Sequence, residues 1–347
     1  MNKLTSSALV LLALILFSLV SCKEDGPQAD SKPVANFYVA GSREVNGGPR
    51  AVVWINGIPK DQGEASGFNY CTSIALVGTD LYSAVNEFGS TYSSSIYKNG
   101  VKFLSVLSDK SEECKINHIA IYNNIVYSCG YVTIQDVKYA RIWKGSEEYF
   151  SRNSNSEAIR VIPAEGVLYS VINEESGSGE DIVRIFKEKE ELYSLSSSPN
   201  EMSATDAVYY KGSIYTVGNV ELSDAKDKIT LWRDGDVFYT INETSVDCVA
   251  KSLFIHNGDT YIGGYSSESS LQINARIWQN SKPLYTLNGG ADKAEVASLF
   301  WWNGFIYSSG YTENQNIFIP IIWCNDYILY KQLVTGDLFD VGQMLVQ

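Results

Sequence analysis

The sequence predicts an all-β fold, a seven-bladed β-propeller of four-stranded antiparallel blades, and three observations carry that expectation. Tyr38, Tyr82, Tyr127, Tyr169, Tyr215, Tyr261 and Tyr307 recur at intervals of 44, 45, 42, 46, 46 and 46 residues. A second aromatic follows each of them after 15 to 17 residues, in the order Trp54, Tyr97, Trp143, Phe186, Trp232, Trp278 and Trp323, so the repeat is registered at two points. Short apolar, β-branched and aromatic runs between turn residues fill each unit, and no segment after the first 25 residues keeps a helical period for long. A repeat of this length built from several short strands is the pattern of propeller blades.

The first segment, residues 1–21, has the layout of a secretory signal. Lys3 precedes the apolar run Ala8 to Val20, which is too short to span a membrane comfortably. The run ends in Leu19-Val20-Ser21-Cys22, which resembles the lipobox of bacterial lipoproteins, and that resemblance implies acylation of Cys22 after cleavage. Lys23-Glu24-Asp25 then resembles the sorting tag of Bacteroidota surface lipoproteins. Together these features imply a lipid-anchored outer-membrane protein, facing the periplasm or the cell exterior. Residues 22–34 read as the acylated cysteine and a flexible tether, and residues 35–347 as the propeller.

The first propeller unit begins at its second strand, Asn36 to Gly41, with no first strand before it. Within the later units a tight turn is expected between the first and second strands, at Asn123-Asn124, Glu165-Gly166, Lys211-Gly212, Asn257-Gly258 and Asn303-Gly304. Another is expected between the third and fourth, at Asn56-Gly57, Asn99-Gly100 and Asp234-Gly235, because two-residue hairpin turns need positive φ. Glu188-Lys189 and Asn280-Ser281 depart from that residue pattern. The seventh unit reads as Val296 to Trp302, Phe305 to Gly310, a polar loop, Pro320 to Trp323, and Tyr327 to Leu333. The C-terminal segment Val341 to Val346 aligns with Val296 to Trp301 and supplies the missing inner strand of the first blade. Pairing the two chain ends closes the ring and removes two exposed edges.

Charge and cysteines narrow the function classes. One of the 27 basic residues, Lys3, lies in the signal, leaving 26 against 40 acidic residues in the mature chain. Nucleic acid is therefore excluded as a partner, since phosphate binding needs clustered Lys and Arg. Five cysteines follow Cys22, namely Cys71, Cys114, Cys129, Cys248 and Cys324. Buried free thiols are their expected state, with a Cys71–Cys114 disulfide as the alternative. No zinc spacing, serine-nucleophile elbow, HExxH pair or phosphate loop is present, and neither cofactor nor metal is expected.

Candidate site residues come from aligning the first strands nine positions before each repeat tyrosine. That position holds Ser73, His118, Arg160, Asp206, Ser252 and Ser298, with Gln343 in the closing strand, and predicts a polar ring at the channel mouth. His118, Arg160 and Asp206, with Lys251 adjoining, form the expected ligand site, suited to an anionic sugar. The same three are the candidate catalytic residues, since histidine beside arginine can serve as acid or base. A hydrogen-bonded ring that satisfies polar groups around a wet channel is the simpler account of the same positions.

The longer connections are expected at Gly41 to Arg50, Glu87 to Ser93, Glu174 to Asp181, Asn219 to Asp227, Tyr265 to Asn274 and Tyr311 to Asn316. They carry acids, notably Glu174, Glu175, Glu180, Asp181, Glu221, Asp224 and Asp227, that read as a solvated surface, with calcium or a basic partner as the alternative. The third-strand aromatics are expected to pack between blades, and Tyr131, Tyr265, Tyr311, Trp301 and Trp302 are the candidates for exposed stacking. The units lack the Gly-His and Trp-Asp pairs of WD40 repeats and the paired glycines of kelch repeats. The expected function is a membrane-anchored module presenting a propeller face to a glycan or protein ligand. The alternatives are a polysaccharide lyase or hydrolase, and a structural envelope lipoprotein.

Overall fold

Twenty-eight strands, numbered β1–β28 in chain order, make up the computed structural model, which describes residues 35–347 apart from 46, 64–67, 89–91, 107–112, 176–180, 197–200, 222–225, 244–245, 270–271, 289–290, 315–316 and 332–337. The signal, Cys22 and the tether lie outside the described residues. The first group is β1 (Phe37–Val45), β2 (Gly48–Ile55) and β3 (Ile58–Asp61). Next come β4 (Phe68–Val77), β5 (Asp80–Phe88), β6 (Tyr92–Lys98) and β7 (Val101–Val106), then β8 (Glu113–Tyr122), β9 (Ile125–Ile134), β10 (Val137–Lys144) and β11 (Glu147–Ser151). The middle of the chain gives β12 (Ser156–Ala164), β13 (Val167–Glu175), β14 (Asp181–Lys187), β15 (Glu190–Ser196), β16 (Met202–Tyr210), β17 (Ser213–Glu221), β18 (Asp227–Arg233) and β19 (Asp236–Ile241). The last strands are β20 (Asp247–His256), β21 (Asp259–Ser269), β22 (Gln272–Gln279), β23 (Lys282–Thr286), β24 (Lys293–Trp302), β25 (Phe305–Asn314), β26 (Ile317–Cys324), β27 (Tyr327–Lys331) and β28 (Leu338–Val346).

These strands pair antiparallel with their chain neighbours in five four-stranded sheets and one eight-stranded sheet. The eight-stranded sheet is two four-stranded sets, β20–β23 and β24–β27, joined by the single parallel bridge Ile273–Lys293. β28 pairs antiparallel with β1, in the register Phe37–Val346, Tyr38–Leu345 and Val39–Met344. The fold is all-β and propeller-like.

The expected turns form, and they require more than positive φ. Asn56, Asn99, Glu188, Asp234, Asn280 and Asn325 all take left-handed backbone between their third and fourth strands. Each also uses its side-chain oxygen to accept the N–H of the residue opening the second strand, at Phe37, Leu81, Leu168, Ile214, Thr260 and Ile306, over 2.8–3.0 Å. The turn residue must therefore supply both αL geometry and an acceptor. Glu188 and Asn280 satisfy both requirements, so their turns match the others in structure.

The cores lie between sheets rather than within one. Trp143 packs with Tyr82, Ala84 and Ile96 of the preceding sheet, Trp232 with Val171, Val183 and Ile185, and Trp278 with Val217, Ile229 and Leu231. All seven third-strand aromatics are buried. Trp54 borders a small space with Gly310, Pro320, Ile321 and Tyr330 from the far end of the chain, and Phe37 meets the Tyr307 ring at 5.0 Å and the Tyr330 ring at 5.9 Å.

The expected long connections are a correction. Most of Gly41 to Arg50 and Tyr265 to Asn274 is paired strand, and the ladder of β25 and β26 runs out to Asn314 and Ile317. Alternating Ser, Tyr and Glu residues there read as loop because their polarity is high, yet alternation is what a half-buried hairpin needs.

Candidate functional site

Seven side chains from the predicted ring are linked in a hydrogen-bonded belt between two cavities. In β4, β8, β12, β16, β20 and β24 the ladder slips by one residue just before the ring position, between Cys71 and Ser73, Ile116 and His118, Ala158 and Arg160, Ala204 and Asp206, Ala250 and Ser252, and Val296 and Ser298. Each slip is a β-bulge, which bends the strand and re-aims the side chain that follows. Opposite four of the bulges stand Gly130, Gly218, Gly264 and Gly310, where a Cβ would come within 1.8–2.3 Å of the carbonyl oxygen of Lys115, Ser203, Val249 or Glu295. Val85 and Ile172 stand opposite the other two. A glycine three residues after the repeat tyrosine is thus a sequence mark of the bulge that periodicity alone does not reveal.

The belt follows one rule: a ring side chain accepts the backbone N–H just after the ring residue of the next sheet. Ser73 Oγ accepts from Ile119 N at 3.1 Å, and His118 Nδ1 from Val161 N at 3.5 Å. Asp206 Oδ2 accepts from Leu253 N at 2.8 Å, Ser252 Oγ from Leu299 N at 3.1 Å, and Ser298 Oγ from Met344 N at 3.0 Å. Gln343 Oε1 accepts from Ile74 N at 3.2 Å and from Ser73 Oγ at 2.7 Å. Arg160 has no acceptor to offer, and there the rule changes. Its Nε donates to Asp206 Oδ1 at 2.5 Å, while the Ala207 N–H turns back to the same oxygen at 2.6 Å.

Electrostatics sharpen the roles. Burial, and secondarily the Arg160 charge, hold the His118 pKa well below the usual imidazole range, so this ring is neutral at physiological pH. Because Nδ1 accepts a backbone N–H, the proton sits on Nε2. Asp206 is 2% exposed and takes three hydrogen bonds, which suits a fixed carboxylate.

The structure brings His118, Arg160 and Asp206 together on one channel wall and leaves Lys251 apart. Lys251 is exposed, pairs with Glu295 at 3.4 Å, and lies over the Tyr265 ring at 5.8 Å. On the tight-turn side of the belt a cavity of about 320 Å³ has His118, Arg160 and Asp206 at its floor. On the other side a 220 Å³ cavity is lined by Thr72, Asn117, Glu157 and Thr205. The belt is therefore a waist between two chambers rather than a mouth.

Several other expected residues have structural partners. Glu174 is buried and held by Arg152 at 2.8 Å and Arg184 at 2.9 Å, so it is no part of a solvated acidic surface. Desolvation and neighbouring carboxylates raise the pKa of Asp181 and Asp227. Glu180 and Asp224 lie outside the described residues. Among the described residues no group of three or more His, Cys, Asp or Glu is placed to hold a metal ion. Tyr131 and Tyr311 donate to Glu113 at 3.2 Å and Glu295 at 3.3 Å, and Trp301 stacks on His256 at 3.5 Å. Cys71, Cys114, Cys129, Cys248 and Cys324 are free thiols, and burial pushes Cys114 and Cys248 up to about 11.

One cleft escaped the sequence reading. A 610 Å³ cavity is bounded by Pro49, Phe68, Tyr70, Phe88 and Tyr92, with Thr72, Asn86 and Lys115 adding polar groups. The Tyr70 and Phe88 rings meet edge-on at 5.2 Å, and Phe88 and Tyr92 at 5.3 Å. Phe68 and Tyr92 are half exposed, at 50% and 46%. The Phe68 ring rests on the Gly48 backbone, where a Cβ would lie 1.8 Å from its edge. Its residues come from five strands, and Phe88 falls in a segment that reads as loop, so only the recurrence of aromatics at hairpin ends could have signalled it.

No known family profile and no curated protein matches this chain. Among solved structures, it is similar to a puromycin hydrolase, with a TM-score of 0.59 and 9% identity over 86% of this chain. The chain spans about half of that structure, 52% of its length. It is also similar to the β-propeller domain of Cps50 (Swd1) from Myceliophteria thermophila, with a TM-score of 0.47 and 11% identity over 79% of this chain and 89% of that one. A subtype N10 neuraminidase-like protein of A/little yellow-shouldered bat/Guatemala gives a TM-score of 0.48 and 10% identity over 73% of this chain and 93% of that one. At such identities the likeness speaks for the fold alone.

Proposed function

We propose that this chain is a lipid-anchored binding module that takes a glycan in the aromatic cleft of Phe68, Tyr70, Phe88 and Tyr92. The observation that carries the reading is the cleft itself: a 610 Å³ space with edge-on aromatic rings, two of them half exposed, beside Lys115, Asn86 and Thr72. Sugar rings offer C–H faces to aromatics and hydroxyls to polar groups, and a pocket needs both kinds of wall. Binding is favoured over catalysis at the belt, because the basic nitrogen of His118 already accepts the Val161 N–H and the Asp206 carboxylate already accepts three hydrogen bonds.

The scaffold in this reading is a seven-bladed propeller, with the eight-stranded sheet counting as two blades. The β28–β1 pairing, the Ser298–Met344 bond and the Phe37–Tyr307 contact support closure between the first and last units. Anchoring would be through acylated Cys22 at the outer membrane, as the lipobox-like Leu19 to Cys22 suggests.

A glycan array probed with the purified chain tests the binding reading. Selective binding to one glycan class, lost in Phe68→Ala/Tyr92→Ala with an unchanged melting transition, supports it. Binding that survives this double substitution, or a protein as the sole ligand, refutes it. Incorporation of labelled palmitate by the wild type and not by Cys22→Ser tests the anchor separately.

A further inference from the structure

The belt uses its hydrogen-bond acceptors and leaves most of its donors. Backbone N–H groups of the neighbouring strands occupy His118 Nδ1, Ser252 Oγ, Ser298 Oγ, Gln343 Oε1 and Asp206 Oδ2, and the Ala207 N–H of the same strand occupies Asp206 Oδ1. No partner is found among the described residues for Arg160 Nη1 and Nη2, His118 Nε2–H, Gln343 Nε2, or the Ser252 and Ser298 hydroxyl protons. All five residues line both the 320 Å³ and 220 Å³ chambers, so these donors surround one point on the channel. Asp206 neutralises the Arg160 charge from the side, through Nε, and leaves the outer edge of the guanidinium to the lumen. That edge is the part suited to bidentate contact with a carboxylate.

The two sides of the waist differ in chemistry. The chamber bearing Glu157, Asn117 and Thr205 is polar and carries a carboxylate of its own. On the tight-turn side the walls are Ile162, Pro163, Val208, Phe254, Phe300 and Leu345. An adjoining 500 Å³ space shares His118, Ala120, Phe300, Gln343 and Leu345 with that chamber and widens it into a funnel. Such a funnel is apolar along its sides and donor-rich at its floor, the arrangement of a pocket for a small amphiphile.

We propose that the channel waist binds one carboxylate, held by Arg160, Gln343, His118 and the two serines, and carried on an apolar alkyl or aryl body that fills the tight-turn funnel. This site is separate from the aromatic cleft and stands whether or not the cleft takes a glycan.

Calorimetric titration of the purified chain with octanoate, 3-phenylpropionate, acetate and 1-octanol tests it. Octanoate or phenylpropionate should bind one per chain, and whichever binds more tightly identifies the body as alkyl or aryl. Acetate, lacking the body, and octanol, lacking the charge, should each bind about tenfold or more weakly, the scale of one charge-assisted hydrogen bond. Ala120→Trp narrows the funnel without touching the belt and should abolish octanoate binding while the protein still melts as the wild type does. Arg160→Met/Asp206→Asn removes the ion pair as a unit and should erase the preference for octanoate over octanol. Absence of binding by both carboxylates, equal affinity for octanoate and octanol in the wild type, or undiminished octanoate binding by a folded Ala120→Trp chain would each overturn the proposal.

Discussion

Ser298 Oγ accepts the Met344 N–H at 3.0 Å, so a side chain of β24 holds the backbone of the C-terminal strand. The same contact recurs between Ser252 and Leu299 and between Ser73 and Ile119, which places the chain end in the series of inner strands. Short, open sheets of this kind share no single core, and such side-chain-to-backbone links join one sheet to the next.

Removal of residues 338–347 takes away β28, its ladder with β1, and the Gln343 and Met344 links of the belt. Each buried polar group left without a partner costs about 1–3 kcal/mol, so several together are a large share of a domain's stability. The truncated chain should lose cooperative unfolding or melt many degrees lower by calorimetry. An unchanged transition would show that β28 is dispensable.

His118 has its folded-state pKa depressed by burial and by Arg160. It therefore contributes stability above the unfolded value near 6.5, and that contribution is lost as pH falls below it. His118→Gln keeps an acceptor for Val161 N and has no proton to gain. The stability of the wild type relative to this variant should fall between pH 7 and pH 5, measured by urea unfolding. A difference that does not change with pH would contradict a neutral, buried imidazole.

Asn99 combines φ of 50° with acceptance of the Leu81 N–H at 2.9 Å. Asn99→Gly retains the backbone geometry and loses the acceptor, at a cost of about 1 kcal/mol. Asn99→Ala loses both and should cost about 1–2 kcal/mol more. Equal stability of the two variants would mean that only one of the requirements matters.

Gly48 gives the Phe68 ring its seat at the rim of the aromatic cleft. In Gly48→Ala the ring must swing away, which a half-exposed side chain can do at little cost to the fold. Affinity for the glycan found on the array should drop about tenfold, while the melting temperature stays within a few degrees because the Phe68 side chain that must move is half exposed. Undiminished affinity would remove Phe68 from the binding surface.

The repeat, the turns and the belt positions were legible because each follows from a local backbone demand. Asn56 and Asn99 mark αL turns, and Trp143 or Trp278 marks a side chain buried against the next sheet. The bulges before His118 and Asp206 were not, because an extra residue in one strand is defined only by its partner strand. Gly130 and Gly218 carry that information in a single missing Cβ. Polar alternation in β21 and β25 hid how far the hairpins extend. The aromatic cleft was hidden for a related reason, since Phe68, Phe88 and Tyr92 come from β4, β5 and β6 and meet only because those strands pair out to Phe68–Phe88 and Phe88–Tyr92.

Residue-resolved amide hydrogen exchange at Ile74, Ile119, Leu253, Leu299 and Met344 tests most directly the claim that the belt closes the ring. If the first and last units are joined as proposed, Met344 and Ile74 should exchange as slowly as Ile119, Leu253 and Leu299, all with the free energy of global unfolding. Exchange at Met344 and Ile74 that is orders of magnitude faster than at the other three would mean that the ends of the chain open independently and that the ring is not closed.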